Sequence, residues 1–216
     1  MEIREIETPT AQLIEEAIDN GDAARAKKLL HLMVGDWDRN KDYSINWIAQ
    51  LLSFIGRELG EPAVERALRD LGDRFVRPRR AASTDARKRM EGIARGMKAN
   101  GADVQFGEDD EKYELSFRCG SGGMLIDSGA YQDPKNYLTL RERGPVTFGT
   151  DELPVYCAHC SVNNEIQPIE WDGAPQTVEY PQSEPGGRCV HHIYKDAASI
   201  PEEVFARVGK TKPPTP

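Results

Sequence analysis

The chain has 216 residues, a formal net charge of −8, 7% aromatic residues and four cysteines. That length can bury one good core, or a helical domain beside a smaller mixed one. The acidic balance argues against a general nucleic-acid binder, which needs a basic surface to displace counterions, and no apolar run is long enough to span a bilayer, so no membrane role is expected.

The opening Met1-Glu2-Ile3-Arg4-Glu5 lacks the basic and apolar regions of a secretory signal, which predicts a reducing, cytoplasmic setting. Thr8 to Asn20 reads as a short helix, with Thr8 as cap, Pro9 at the first helical position, and Leu13, Ile14, Ala17 and Ile18 on one face. Asn20-Gly21-Asp22 ends it and caps the next. From Ala23 to about Leu59, the positions Ala26, Leu30, Met33, Trp37, Ser44, Ile48, Leu51 and Ile55 recur mostly at steps of three, four or seven. They form one helical face, which the polar stretch Asp36 to Asp42 could interrupt. Gly60-Glu61-Pro62 stops this helix and starts another, whose expected buried stripe is Val64, Ala67, Leu68, Leu71 and Phe75. Arg74, Arg77, Arg79, Arg80, Arg87, Lys88 and Arg89 concentrate the basic charge. They read as a solvated interhelical loop and helix start, with a patch for phosphate or an acidic partner as the lesser alternative. A further helix is expected from Ser83 or Thr84 to Lys98, ending at Asn100-Gly101.

After Gly101 the periodicity shifts towards two. Ala102 to Phe106 and Lys112 to Arg118 alternate as strands, with Tyr113, Leu115 and Phe117 on one side and Gly107-Glu108-Asp109-Asp110 as the turn. Met124-Leu125-Ile126 reads as a resumption of the sheet, and Asp133 to Arg143 as loop or short helix. Ser161 to Gln167 is expected to be helical and to end at Pro168. Gln176 to Tyr180 and Arg188 to Tyr194 read as a hairpin across a Pro/Gly-rich turn, and Val208 to Pro216 as a disordered tail. The expected architecture is therefore α+β: a helical region over 1–100, packed on an antiparallel-sheet region over 101–208 that carries a cysteine metal site, then a tail over 209–216.

The four cysteines organise this second region. Cys157 and Cys160 form a C-x-x-C pair, which lets two thiolates reach one ion from a single turn of backbone. Cys119 precedes Gly120-Ser121-Gly122-Gly123, where the chain can curl tightly, and Cys189 follows Gly186-Gly187-Arg188 to open a strand. We expect the four sulfurs to meet around one metal. The alternatives are that Cys119 and Cys189 are small core residues, or that disulfides form. Thiolates are soft ligands that suit zinc or an iron or iron–sulfur centre, and zinc is preferred because the clustered ferredoxin spacing is missing. Four sulfurs on one zinc would make a closed structural site; three would leave room for an activated water.

His159, inside the C-x-x-C loop, is a candidate fourth ligand, proton carrier or exposed turn residue. His191 shares the strand side of Cys189 and His192 faces the other way, while His31 lies in the helical region. Glu165 is the candidate general base for metal-bound water, with Glu170 and Asp172 nearby; the plainer reading is that these are solvated acids. Trp171, Tyr156 and Tyr180 are candidate pocket walls or core. No nucleophile elbow, phosphate loop or dinucleotide fingerprint is present.

From Ala102 to Lys195 the layout resembles the small-molecule-binding domain of 4-vinyl reductase proteins and the L-2-amino-thiazoline-4-carboxylic acid hydrolase-like proteins. The helical lead-in, the strand ending at Cys119, the Cys157 and Cys160 segment, and the turn Gly186-Gly187-Arg188 before Cys189 carry the likeness. The resemblance implies an α+β domain whose cysteines hold a metal beside a ligand pocket. The expected function is binding or hydrolysis of a small molecule at a cysteine-ligated metal; the alternative is a non-enzymatic interaction module with a structural four-cysteine zinc.

Overall fold

The computed structural model describes residues 3–79 and 85–214. By internal contacts the chain divides into two units, Met1–Ile45 and Asn46–Pro216. Among the described residues, no helix is long and apolar enough to cross a membrane. The protein is α+β, helical at its N-terminal side and built on an antiparallel sheet at its C-terminal side.

The first unit contains α1 (Ile3–Glu7), α2 (Thr10–Asp19) and the first part of α3 (Ala23–Leu59). Pro9 stands just before α2 and supplies the carbonyl that accepts from Leu13 N–H; Leu13 and Ala17 are buried as expected. The helix α3 runs without a break. Its polar stretch holds together through Asp36–Arg39 and Asp38–Lys41 ion pairs at i,i+3 and a Ser44 hydroxyl donating to the Asn40 carbonyl.

In the second unit α3 buries Ala49, Leu52, Ser53 and Gly56, while Ile48 and Leu51 of the expected stripe are exposed. The helix is apolar on two neighbouring faces, and tertiary packing selects the second. Next, α4 (Glu61–Leu71) buries Val64 and Leu68 but leaves Leu71 and Phe75 exposed. It gives way at Gly72 to a wider π-helical turn, Gly72–Val76, which rotates the later positions out of the stripe. The helix α5 (Ala86–Ala99) is capped by Asp85, whose carboxylate accepts from the N–H groups of Arg87 and Lys88. The expected start at Ser83 or Thr84 lies outside the described residues. Of the basic run, Arg74 pairs with Asp70, Arg87 with Glu91, and Arg77 lies over the Trp171 ring; Arg80 also lies outside the described residues.

The main sheet has the order β1-β2-β6-β5, all antiparallel. Its strands are β1 (Asp103–Glu108), β2 (Lys112–Arg118), β5 (Val178–Tyr180) and β6 (Cys189–Tyr194); β3 (Thr139–Leu140) and β4 (Leu153–Pro154) form a small second ladder. Asp109 sets the first hairpin by accepting from the N–H groups of Glu111 and Lys112. One sheet face, with Leu115, Phe117, Cys189 and Ile193, is covered by Met90, Ile93, Ala94 and Met97 of α5. The other core gathers α4 and the segment after the C-x-x-C around Val155, Ala158, Val162 and Ile166, with Val178 of β5 and Phe205 of α8 (Glu202–Arg207).

Three local expectations are corrected. Met124-Leu125-Ile126 lies in a short helix, α6 (Gly122–Asp127), because Met124 and Leu125 N–H groups turn back onto the carbonyls of Cys119 and Ser121. Pro168 does not end the helical segment. Cys160–Ile166 is π-helical, and Pro168 falls in the first turn of α7 (Gln167–Asp172), where a missing N–H costs no bond. Val208, expected in the tail, is fully buried, and Lys210 reaches Glu170; Thr215 and Pro216 lie outside the described residues.

Candidate functional site

Three stretches of chain deliver the four cysteines to one neighbourhood. Cys119 follows β2, Cys157 ends a 3-10 turn, Cys160 opens the π-helical segment, and Cys189 opens β6. All four are free thiols, Cys157 and Cys189 buried and the other two partly so. The glycine turn makes the approach possible. A methyl on Gly120 would stand 1.7 Å from the Asn100 carbonyl oxygen, one on Gly122 would stand 2.9 Å from Cys157 Sγ, and one on Gly123 would stand 2.8 Å from Cys119 Cβ. Side chains at these three positions would run into the Asn100 carbonyl, Cys157 Sγ and Cys119 Cβ, so the turn packs as bare backbone.

The C-x-x-C segment is held from behind. Asn163 and Gln167 donate side-chain bonds to the Leu68 and Arg69 carbonyls at 2.9 Å each, tying the π-helical turn to the end of α4. A Cβ at Gly72 would lie 1.9 Å from Gln167 Oε1, so that end also depends on glycine.

The thiols interact with one another. Cys189 and Cys119 share a hydrogen bond that lowers Cys119 to about 5; N–H groups of Gly123 and Ser121 and the Ser121 hydroxyl, 3.2 Å from the sulfur, add to this against the cost of burial. Cys189 is raised by the same bond, since it holds the shared proton, and its sulfur accepts from Gln182 N–H at 3.4 Å. Burial raises Cys157 and Cys160, and the neighbouring charges of Cys119 and Glu179 raise both further. The two outlying cysteines therefore lie on the same side of the molecule as the close pair. They are not drawn into a ligand set: among the described residues no three His, Cys, Asp or Glu side chains are placed to hold a metal ion.

The site also contains a residue that sequence reasoning missed. Glu179 of β5 lies cross-strand from His191, which shares its sheet face with Cys189 as alternation predicts. Glu179 Oε1 accepts from Asn164 at 2.6 Å and Thr177 at 2.8 Å, with His191 Nε2 at 3.5 Å. Burial opposes charge on Glu179 most strongly, yet the His191 charge, the Cys160 and Thr177 donors and His159 together hold the carboxyl below its usual range. Its signal in the sequence is one acid inside the apolar Val178-Glu179-Tyr180 strand.

The other candidates divide. His159 is half-buried beside the thiols, with Nδ1 at 2.5 Å from the Tyr156 carbonyl and Nε2 at 3.6 Å from Cys160 Sγ. Glu165 is fully buried, but its partners are Arg207 and the Glu179 N–H, and burial pushes its carboxyl up to about 8 against their pull. Glu170 is spent on Arg69 and Lys210 at the surface, and His192 faces Glu114 at 3.0 Å. Of the three aromatics only Tyr156 adjoins the cysteines, packed edge-on against His159 and pushed up to about 12 by burial and by the Cys119 and Cys160 charges. Trp171 carries Arg77, and Tyr180 is exposed beneath Arg207.

No protein-family model, curated protein or solved structure matches this chain.

Proposed function

We propose that the protein binds a soft divalent metal ion, zinc in the first place, through Cys119, Cys157, Cys160 and Cys189, and handles a small molecule beside it. The observation that carries this reading is the convergence of four free thiols, from three stretches of chain, on one largely buried neighbourhood around the glycine turn, where Gly122 backs onto Cys157, Gly123 onto Cys119 and Gln182, and Gln182 N–H onto Cys189. Cysteines placed only for packing have no need of one another, whereas a thiolate donor set must converge. Binding has to draw the thiol pairs into a ligand set and displace their protons, so affinity should rise with pH. The bound ion would supply Lewis acidity. The chain supplies a half-buried His159, Tyr156 and a buried polar layer, where Glu165 Oε2 and His191 Nδ1 are left without hydrogen-bond partners among the described residues. Such atoms call for water or the polar atoms of a ligand.

Elemental analysis of protein purified under reducing conditions tests the reading. About one zinc per chain is expected, with each Cys→Ser variant depleted and the melting temperature lowered by chelator. Protein that takes up no zinc, and whose melting ignores both added zinc and chelator, would refute it. X-ray absorption showing sulfur alone would make the ion structural; a water or other light-atom ligand would make it chemically competent.

A further inference from the structure

The helix α3 buries one face through Ile45, Ala49, Leu52 and Gly56, and leaves a second apolar face outside. From Leu30 to Phe54 that second face recurs at alternating steps of three and four residues, the spacing of a coiled-coil seam about 36 Å long. Its six apolar positions are 36% (Met33) to 60% (Trp47) exposed, and Val34 and Ile48 widen it along one side. Taking ~200 Å² for an aromatic residue and somewhat less for an aliphatic one, the exposed fractions come to roughly 650 Å². The largest apolar patch of an ordinary monomer is about 300–600 Å², whereas each partner of a standard stable interface contributes about 600–1,000 Å².

The order of residues along the seam says what covers it, because it reads alike from either end about a centre at Asp42. Leu30 and Phe54 lie twelve residues to either side of that centre, Met33 and Leu51 nine, Trp37 and Trp47 five, and Asn40 and Ser44 two. We propose that a second copy of this chain occupies the face, its α3 laid antiparallel on the first across a twofold axis at Asp42. Each apolar level then meets an apolar level, as an isologous interface requires. Asn40 and Ser44 meet each other beside the axis, where a polar pair in an apolar seam fixes register. Lys41 brings its own counterions to the axis, with Asp38 and Asp42 each at 3.3 Å.

The test is analytical ultracentrifugation of the whole chain under reducing conditions, at ~10 μM and above, since interfaces of this size reach micromolar affinity or better. Wild type is expected at twice the 24.1 kDa of one chain. Met33→Lys and Leu51→Glu lie on the exposed seam, so circular dichroism should find both folded. Each alone should weaken the dimer at least about 30-fold, the loss of one strong interface contact. The double variant M33K/L51E should recover most of that loss, because the antiparallel register sets the two new charges against each other. A parallel pair would instead set like against like and recover nothing. Monomeric wild type overturns the proposal without any variant and leaves the face to a different molecule. A wild-type dimer that ignores both single variants, or a double variant as weak as they are, overturns it as well.

Discussion

Replacing Gly122 by alanine probes the packing that brings the sulfurs together. The added methyl would sit 2.9 Å from Cys157 Sγ and 3.4 Å from Tyr156 Cδ1, where non-bonded carbons prefer about 3.5–4.0 Å. Cys157 cannot swing aside freely, because it lies in a core with Val155 and Ala158, both at 0% exposure. Overpacking of this kind costs ~1–3 kcal/mol, and a domain of this size loses about 2–4 °C per kcal/mol, so the melting temperature should fall by roughly 2–12 °C. Gly92, inside α5, is the matched control, since a methyl there meets nothing within 4 Å. Gly92→Ala should gain ~0.5–1 kcal/mol from reduced chain entropy, raising the melting point by about 1–4 °C. Thermal denaturation of the reduced, metal-free proteins reads both effects, and titration of the thiols with an aromatic disulfide reports whether Cys157 opens. If Gly122→Ala melts at or above wild type while Gly92→Ala behaves as expected, the close contact between the glycine turn and Cys157 is wrong.

Glu165, raised by burial to about 8, keeps a proton that the unfolded chain releases near pH 4.3. Stability should therefore be fully present below about pH 4.3 and fall as pH rises to 8, by at most ~5 kcal/mol. Glu165→Gln should flatten that slope in urea titrations, and equal slopes in both proteins would rule out a buried protonated carboxyl. Asp85→Ala removes the α5 cap formed at 2.9 Å and 3.2 Å to Arg87 and Lys88 N–H; it should cost ~1 kcal/mol, and an unchanged melt would deny the cap. With Cys119 lowered to about 5 by the Cys189 bond, iodoacetamide at pH 6 should label Cys119 first in metal-free protein. Cys189→Ala should move that labelling to higher pH, and peptide mapping that finds Cys160 labelled first contradicts the pairing.

The strand β2 was legible to its ends, because strict alternation over Lys112–Arg118 has no competing helical reading and Asp109 marks the turn before it. The β5–β6 hairpin and the start of α4 after Gly60 were legible for similar reasons, each announced by turn residues. What failed was short or two-sided. Three apolar residues at 124–126 suit a strand or a single helical turn equally well, and the hydrogen bonds that decide between them come from the backbone of the glycine turn. In α3 both candidate stripes are apolar, so periodicity finds the helix but cannot choose which face meets Ser53 and Leu52 of the core. Pro168 misled because a proline ends a helix only when it falls beyond the first turn. A change from π to α geometry at Gln167 created a new first turn for it.

The candidate site shows the same division between local and non-local information. Spacing along the chain marks Cys157 and Cys160, and alternation along one strand puts His191 on the side of Cys189. Glu179 depends on register between two strands: it stands opposite His191 only because Val178 pairs with His192 and Tyr180 with Val190. A slip of one residue would put an apolar side chain there and turn the acid to the other face. The physical trace left in the sequence is the acid itself. A carboxylate inside a strand at the edge of a buried layer has to be compensated, and in this chain the Asn164 amide, the Thr177 hydroxyl and the His191 ring gather on one of its oxygens. The second oxygen is buried with no hydrogen-bond partner among the described residues, an arrangement that the apolar pattern of the strand does not announce.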